Sequence, residues 1–167
     1  MPIDPQVLRA AMRNWATGVT VVTSAYDGQF AGATVSSFTS VALEPPTVLV
    51  CLNKTTFVHD IMRKSGIYAV SLLAADQQQI SNRFAGFDPT VTDRFEGLDL
   101  IIGETGAPFI GGALAWLDCQ TKHTLDTGTH TIYVAEVIDV RVNSEALPLV
   151  YHNRTYKQIV DTVRITD

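Results

Sequence analysis

The sequence predicts a mainly β chain, an antiparallel barrel with about three peripheral helices packed on it. Three observations carry that expectation. β-Branched and apolar runs of strand length recur along the chain. Turn chemistry separates them at Tyr26-Asp27-Gly28-Gln29, Glu44-Pro45-Pro46 and Asn153-Arg154. Helical spacing of apolar residues is confined to short stretches in the first half. With 167 residues and no internal repeat, a single domain spanning 1–167 is expected.

Asp4-Pro5 predicts a helix start, and Val7, Leu8, Ala11, Met12 and Trp15 follow at helical spacing until Thr17-Gly18. Val19 to Ala25 and Phe30 to Phe38 form the expected first hairpin. After Glu44-Pro45-Pro46, the run from Thr47 to Leu52 is apolar enough to predict a strand buried on both faces. Thr55 or Thr56 then caps a helix to about Lys64, stopped by Ser65-Gly66. Ile67 to Leu73 reads as a strand and Asp76 to Phe84 as a helix ending near Ala85-Gly86. Gly86 to Gly97 and the glycine-rich Gly103 to Gly112 are expected to be loops. Strands follow at Ala113 to His123 and Thr131 to Val142, and a short pair surrounds Asn153-Arg154.

Composition narrows the function. The chain is 46% hydrophobic and only 17% charged, which is apolar for its size and suggests surface buried against a second copy. Twelve basic against seventeen acidic residues give a net charge of −5, so no nucleic-acid partner is expected. No apolar run approaches the roughly 20 residues of a membrane span. The N-terminal residues lack signal-peptide blocks, and Cys51 and Cys119 read as buried thiols in a reducing compartment. A cytoplasmic location is expected.

The glycines of 103–112 lack dinucleotide-fingerprint spacing. His59, His123, His130 and His152 show no metal-ligand spacing, and no metal is expected. No serine sits in a nucleophile elbow. One local signal has a mechanism: Asn53-Lys54-Thr55-Thr56 lies between a strand and a helix start. Backbone N–H groups, hydroxyls and a lysine would converge there on a phosphate, although a capped helix with a solvated lysine gives the same pattern. Thr34-Val35-Ser36-Ser37-Phe38 places small polar residues along a strand, against which a flat ring can lie.

Taken in order, these segments resemble the flavin reductase-like family, the reductase partners of two-component flavin-dependent monooxygenases. The likeness is carried by Thr17-Gly18-Val19-Thr20-Val21-Val22-Thr23, Thr34 to Ser40, Pro45-Pro46 with its strand, and Gln77 to Ala85. Gly128-Thr129-His130-Thr131-Ile132 and Pro148-Leu149-Val150-Tyr151-His152 complete it. The resemblance implies a homodimeric, Greek-key, FMN-binding split β-barrel. It implies an NAD(P)H-dependent reductase that reduces FMN or FAD by hydride transfer from NADH or NADPH and supplies a separate monooxygenase by diffusion or transient contact.

The resemblance places the flavin against Thr34, Val35, Ser36 and Ser37. Its phosphate falls at the turn after Cys51, Leu52 and Asn53, reached by Lys54, Thr55, Thr56 and Phe57. Arg83, Phe84 and Ala85 flank it, with Tyr151 and Tyr156 as further pocket candidates. His130 matches the histidine of the family's Gly-Asp-His motif and is the catalytic candidate, close to where the nicotinamide stacks. Thr129 stands where that motif has aspartate. That departure keeps open a flavin-binding sensor or carrier module without nicotinamide turnover. A related oxidase of phosphorylated pyridines would need a second phosphate cluster, and only Lys54, Arg63 and Lys64 are grouped.

Overall fold

The computed structural model describes residues 3–143 and 146–160. Among these, helices α1 (Pro5–Met12), α2 (Phe57–Ser65) and α3 (Gln78–Ala85) accompany twelve strands. Seven strands form the main antiparallel sheet: β2 (Thr20–Tyr26), β3 (Gln29–Val35), β4 (Phe38–Leu43), β5 (Pro46–Asn53), β6 (Ile67–Leu72), β9 (Ala115–Thr127) and β10 (His130–Val142). Their order is β3-β2-β6-β9-β10-β5-β4. The two edge strands, β3 and β4, are consecutive in sequence and joined by Ser36-Ser37. The curled sheet therefore brings its edges together without a ladder closing them. β1 (Thr17–Gly18), β11 (Val150–His152) and β12 (Thr155–Lys157) make a small second sheet, and β7 (Leu100–Ile102) pairs with β8 (Pro108–Ile110).

Turn residues set the hairpins. Asp27 and Gly28 adopt φ of 50° and 75° between β2 and β3, and Asn153 and Arg154 adopt 47° and 64° between β11 and β12. Positive φ at both central positions matches the right-handed strand twist. The core fills the inside of the sheet with Val22, Val50, Tyr68, Val70 and Tyr133, closed by Val58, Ile61 and Met62 of α2. Gly66, at φ 70°, ends α2 in the left-handed conformation. A second cluster, built on Val19, Val21, Leu73, Phe84 and Ile110, seats α3.

Several expectations are corrected. β5 alternates rather than being buried on both faces: Val48, Val50 and Leu52 face the core, while Thr47, Leu49 and Cys51 are half-exposed on the outside. Cys51 is thus not a buried thiol, whereas Cys119 is, and burial pushes its pKa up. The first helix stops at Met12. The Asn14 amide reaches back to the Ala10 carbonyl at 3.1 Å, and Thr17-Gly18 pairs with β11 instead of ending a helix. Residues 103–112 are not all loop, because β8 lies within them. The β7–β8 turn is held by the buried Asp118 carboxylate, which accepts the Thr105 N–H at 2.8 Å and its hydroxyl at 2.6 Å. Among the described residues no helix is long and apolar enough to cross a membrane, and no three His, Cys, Asp or Glu side chains gather as a metal site.

Candidate active site

The turn after β5 is shaped by Asn53. Its carboxamide oxygen accepts both the Thr55 N–H at 2.9 Å and the Thr55 hydroxyl at 3.0 Å. Thr56 is the N-cap residue of α2, but its hydroxyl donates to the Asn53 carbonyl at 2.8 Å and makes no cap bond. The expected threonine cap is therefore not made. The first-turn N–H groups of α2 have no side-chain acceptor, and the positive end of the helix is left open to an anion.

That open end faces a groove of about 580 Å³ laid over β3. Thr55, Thr56 and Phe57 form one wall; Phe84, Ala85 and Arg94 form the other. Gly32 is its floor, and a Cβ there would lie 2.7 Å from the Phe84 ring. Only glycine lets the Phe84–Phe95 pair, with ring centroids 5.1 Å apart, pack onto the strand. Thr34 and Ala85 carry the groove into a cleft of about 160 Å³ with Ser36, Tyr151 and Tyr156. Tyr156 is fixed there by bonds from its hydroxyl to Ser81 at 2.9 Å and Asn82 at 2.7 Å. Val19, Ser36 and Tyr151 in turn lead into a cavity of about 670 Å³ lined by Ser37 and the exposed Trp15. Ser37 is anchored to β5 by its hydroxyl on the Cys51 carbonyl at 2.8 Å.

Most of the sequence candidates therefore share one continuous run of clefts, with anion donors at one end and a broad cavity at the other. Others lie elsewhere. Val35 and Leu52 point into the core, so only their backbones face outward. Phe84 lines the groove, but at 1% exposed it backs that wall as packed core. Arg83 donates to the Asp93 carbonyl at 3.2 Å and lines a neighbouring cavity with Asn82 and Asp88. The Lys54 ammonium is 3.2 Å from Asp126 on a separate cavity beside His59, away from the groove. Arg94 occupies the place expected of a cationic side chain. The sequence does not single it out, because Thr92-Asp93-Arg94-Phe95 lies in a polar loop without periodicity. Two carbonyls bring it in, Gly32 at 3.2 Å and Phe84 at 3.0 Å from its Nη1.

His130 opens β10, directly across the ladder from Asn53. Its Nδ1 is 2.9 Å from the Thr129 hydroxyl, and the Thr129 carbonyl accepts the Lys54 N–H at 3.0 Å. The turn after β5 and the histidine are thus tied to one another through Thr129. Behind them, Asp126 is held below the usual carboxylate range by the Thr131 hydroxyl and then by Lys54.

The flavin reductase like domain model matches residues 12–160, nearly all of the chain. The chain belongs to the flavin reductase-like family. The reductase subunit of a flavin-dependent monooxygenase from Rhodococcus jostii is 35% identical over 157 residues, covering 94% of this chain and 79% of that protein. An FMN reductase (NADH) from Pseudomonas syringae pv. syringae is 38% identical over 157 residues, covering 94% and 88%. Among solved structures, a Streptomyces globisporus NADH:FAD oxidoreductase in complex with NAD and FAD fragments superposes with a TM-score of 0.87 at 34% identity, covering 96% of this chain and 97% of that one. In this flavin reductase-like chain, the open helix end, the groove and the ring-sized cavity fit a ligand with a phosphate at one end and a flat heterocycle at the other.

Proposed function

We propose that this protein is an NAD(P)H-dependent flavin reductase that delivers reduced FMN or FAD to a separate monooxygenase component. The observation that carries the reading is the run of clefts along β3, from the uncapped start of α2 to the cavity at Ser36-Ser37. Relatives described as an FMN reductase (NADH) and as the reductase subunit of a monooxygenase support turnover over a passive flavin-binding module. The bound pair supplies the redox chemistry itself, a hydride and its two electrons passing from nicotinamide to flavin.

The chain's own residues bind and align. The first-turn N–H groups of α2, at Phe57 and Val58, face the phosphate, and Thr55 and Thr56, whose own N–H groups are bound to Asn53, line its seat, with Cys51 and Leu52 leading into the turn. Thr34 and Ala85 border the passage, walled by Tyr151 and Tyr156. Ser36 and Ser37 lie between β3 and β4; the Ser37 carbonyl accepts the Cys51 N–H at 3.2 Å, and the N–H groups of the two serines serve as backbone donors at the ring end, where negative charge grows on reduction. His130 orients the nicotinamide from the neighbouring strand end. No acid–base pair is required, because holding two rings face to face is an orientation effect.

We further propose that the chain works as one domain over 1–167, as a split-barrel homodimer, in the cytoplasm. The outer face of β5 and β10 supports the dimer: Leu49, Cys51, Ile132 and Val134 share it, half-exposed. A test of release is anaerobic reduction of excess free flavin by substoichiometric protein and NADH. Multiple turnovers of bleaching are expected; bleaching that stops at one equivalent per chain would contradict a diffusible product.

A further inference from the structure

β9 runs past the strand that supports it. Its ladder with β6 ends at Gln120, and the Thr121 N–H makes one more bond on that side, to the Gly66 carbonyl at 2.9 Å. The ladder with β10 continues to Thr127, opposite His130. The end of the hairpin therefore overhangs the sheet, and residues 122–129 are all exposed. Strands paired on one side only are weakly held, and His130 starts the returning strand at the tip of this overhang. A chain of side chains braces it. The Asp126 carboxylate accepts the Thr131 hydroxyl at 2.7 Å and lies 3.2 Å from the Lys54 ammonium. Thr131 is buried and stands 3.0 Å from Nε2 of His59 on α2. Lys54 also donates its backbone N–H to the Thr129 carbonyl at 3.0 Å. It thus grips the hairpin twice, on both sides of Gly128. Arg63 and Lys64 nearby are both paired with Asp60.

We propose that Lys54 and Asp126 are positioning residues of the reductase, whose pair holds the overhanging turn, and with it His130, where the nicotinamide meets the flavin. This rests on the flavin reductase reading above. Lys54 then serves alignment of the hydride donor and is not a ligand of the flavin phosphate, whose seat lies on the other side of the turn. The two side chains are partly solvated, at 34% and 70% exposed, and ion pairs of that kind add little to stability. Alignment is a different matter, because a small displacement of a positioned group costs rate steeply. Loss of the pair is therefore read in the rate of hydride transfer, with the fold intact.

The test uses the full-length protein with FMN and with FAD. Affinity is measured by flavin fluorescence, and hydride transfer by the anaerobic bleaching rate of bound flavin on rapid mixing with NADH. The variants are Lys54→Met, Asp126→Asn, which keeps an acceptor for Thr131, the double variant, and Lys54→Arg. Each of the two single charge removals should slow bleaching about tenfold, with flavin affinity within about twofold and Tm within about 2 °C of the parent. The double variant should be no slower than either single, because one interaction is lost in all three. Lys54→Arg should restore the rate. Unchanged bleaching in both single variants overturns the proposal, and so do losses that add in the double variant. Flavin affinity lowered about tenfold in Lys54→Met, with Asp126→Asn like the parent, also overturns it by returning Lys54 to the phosphate. A parent that binds flavin but is not bleached by NADH or NADPH overturns the reductase reading itself.

Discussion

Thr129 shows how a motif can lose a charge and keep a geometry. Aspartate beside the histidine would hold the imidazole with a carboxylate. Here a hydroxyl 2.9 Å from Nδ1 does so without charge, while the Thr129 backbone holds Lys54. Thr129→Ala is expected to lower kcat/KM for NADH roughly 2–10-fold, the equivalent of one neutral hydrogen bond, with flavin affinity unchanged. Thr129→Ser should behave as the parent. An Ala variant with unaltered kcat/KM would remove the hydroxyl from any positioning role. His59 makes a second residue-scale prediction. It is buried, and Thr131, which donates to Asp126 at 2.7 Å, can accept only from the His59 Nε2–H, 3.0 Å away. Burial lowers its pKa below the ordinary value, so the unfolded chain takes up a proton first as pH falls. Its stabilising contribution is whole above about pH 6.5 and is lost as pH drops toward the folded-state pKa. The Tm should therefore fall on acidification below about pH 6.5, and His59→Gln should flatten that slope.

Among the elements, the packing of α3 and the 92–95 loop on β3 decides the shape of the groove. Gly32→Ala would set a Cβ 2.7 Å from one Phe84 ring atom and 3.2 Å from the Phe95 ring. A loss of about 1–3 kcal/mol by chemical denaturation is expected, with weakened flavin binding as Arg94 shifts with the aromatic pair. Unchanged stability would mean that the rings give way freely. The elements also show what is legible in sequence. Asp27-Gly28 and Asn153-Arg154 announce their hairpins because positive φ restricts the residues allowed there. Gly66 and Gly86 end α2 and α3 for the same reason. β7 and β8 are three residues each, too short for periodicity to separate from their glycine-rich surroundings. β5 reads as doubly buried because its outer positions, Leu49 and Cys51, are apolar as well, and no local pattern tells which face meets the core. Within the site, Thr34, Ser36, Thr55 and Thr56 were legible because small polar residues beside a strand end and a helix start have a phosphate- and ring-binding rationale. Arg94 was not, since only tertiary contacts with Gly32 and Phe84 carbonyls place it.

For the whole molecule, the apolar composition and the outer face of β5 and β10 have one explanation in the proposed dimer. Val41, Leu43 and Val140 are also exposed, at 52%, 86% and 53%, on β4 and β10. Light scattering is expected to give twice the 18.2 kDa chain mass, and Leu49→Glu should shift it toward the monomer, because a carboxylate buried between two copies has no partner there. A monomeric parent at micromolar concentration would leave that face without a partner and the homodimer without support. At the same scale, function depends on bringing two mobile ligands together on one scaffold. The account is tested most directly by NADH oxidation by the purified protein, followed by the loss of reduced-nicotinamide absorbance, with and without free FAD or FMN. Turnover that requires added flavin is the predicted result. Measurable flavin binding with no oxidation of NADH or NADPH would contradict it.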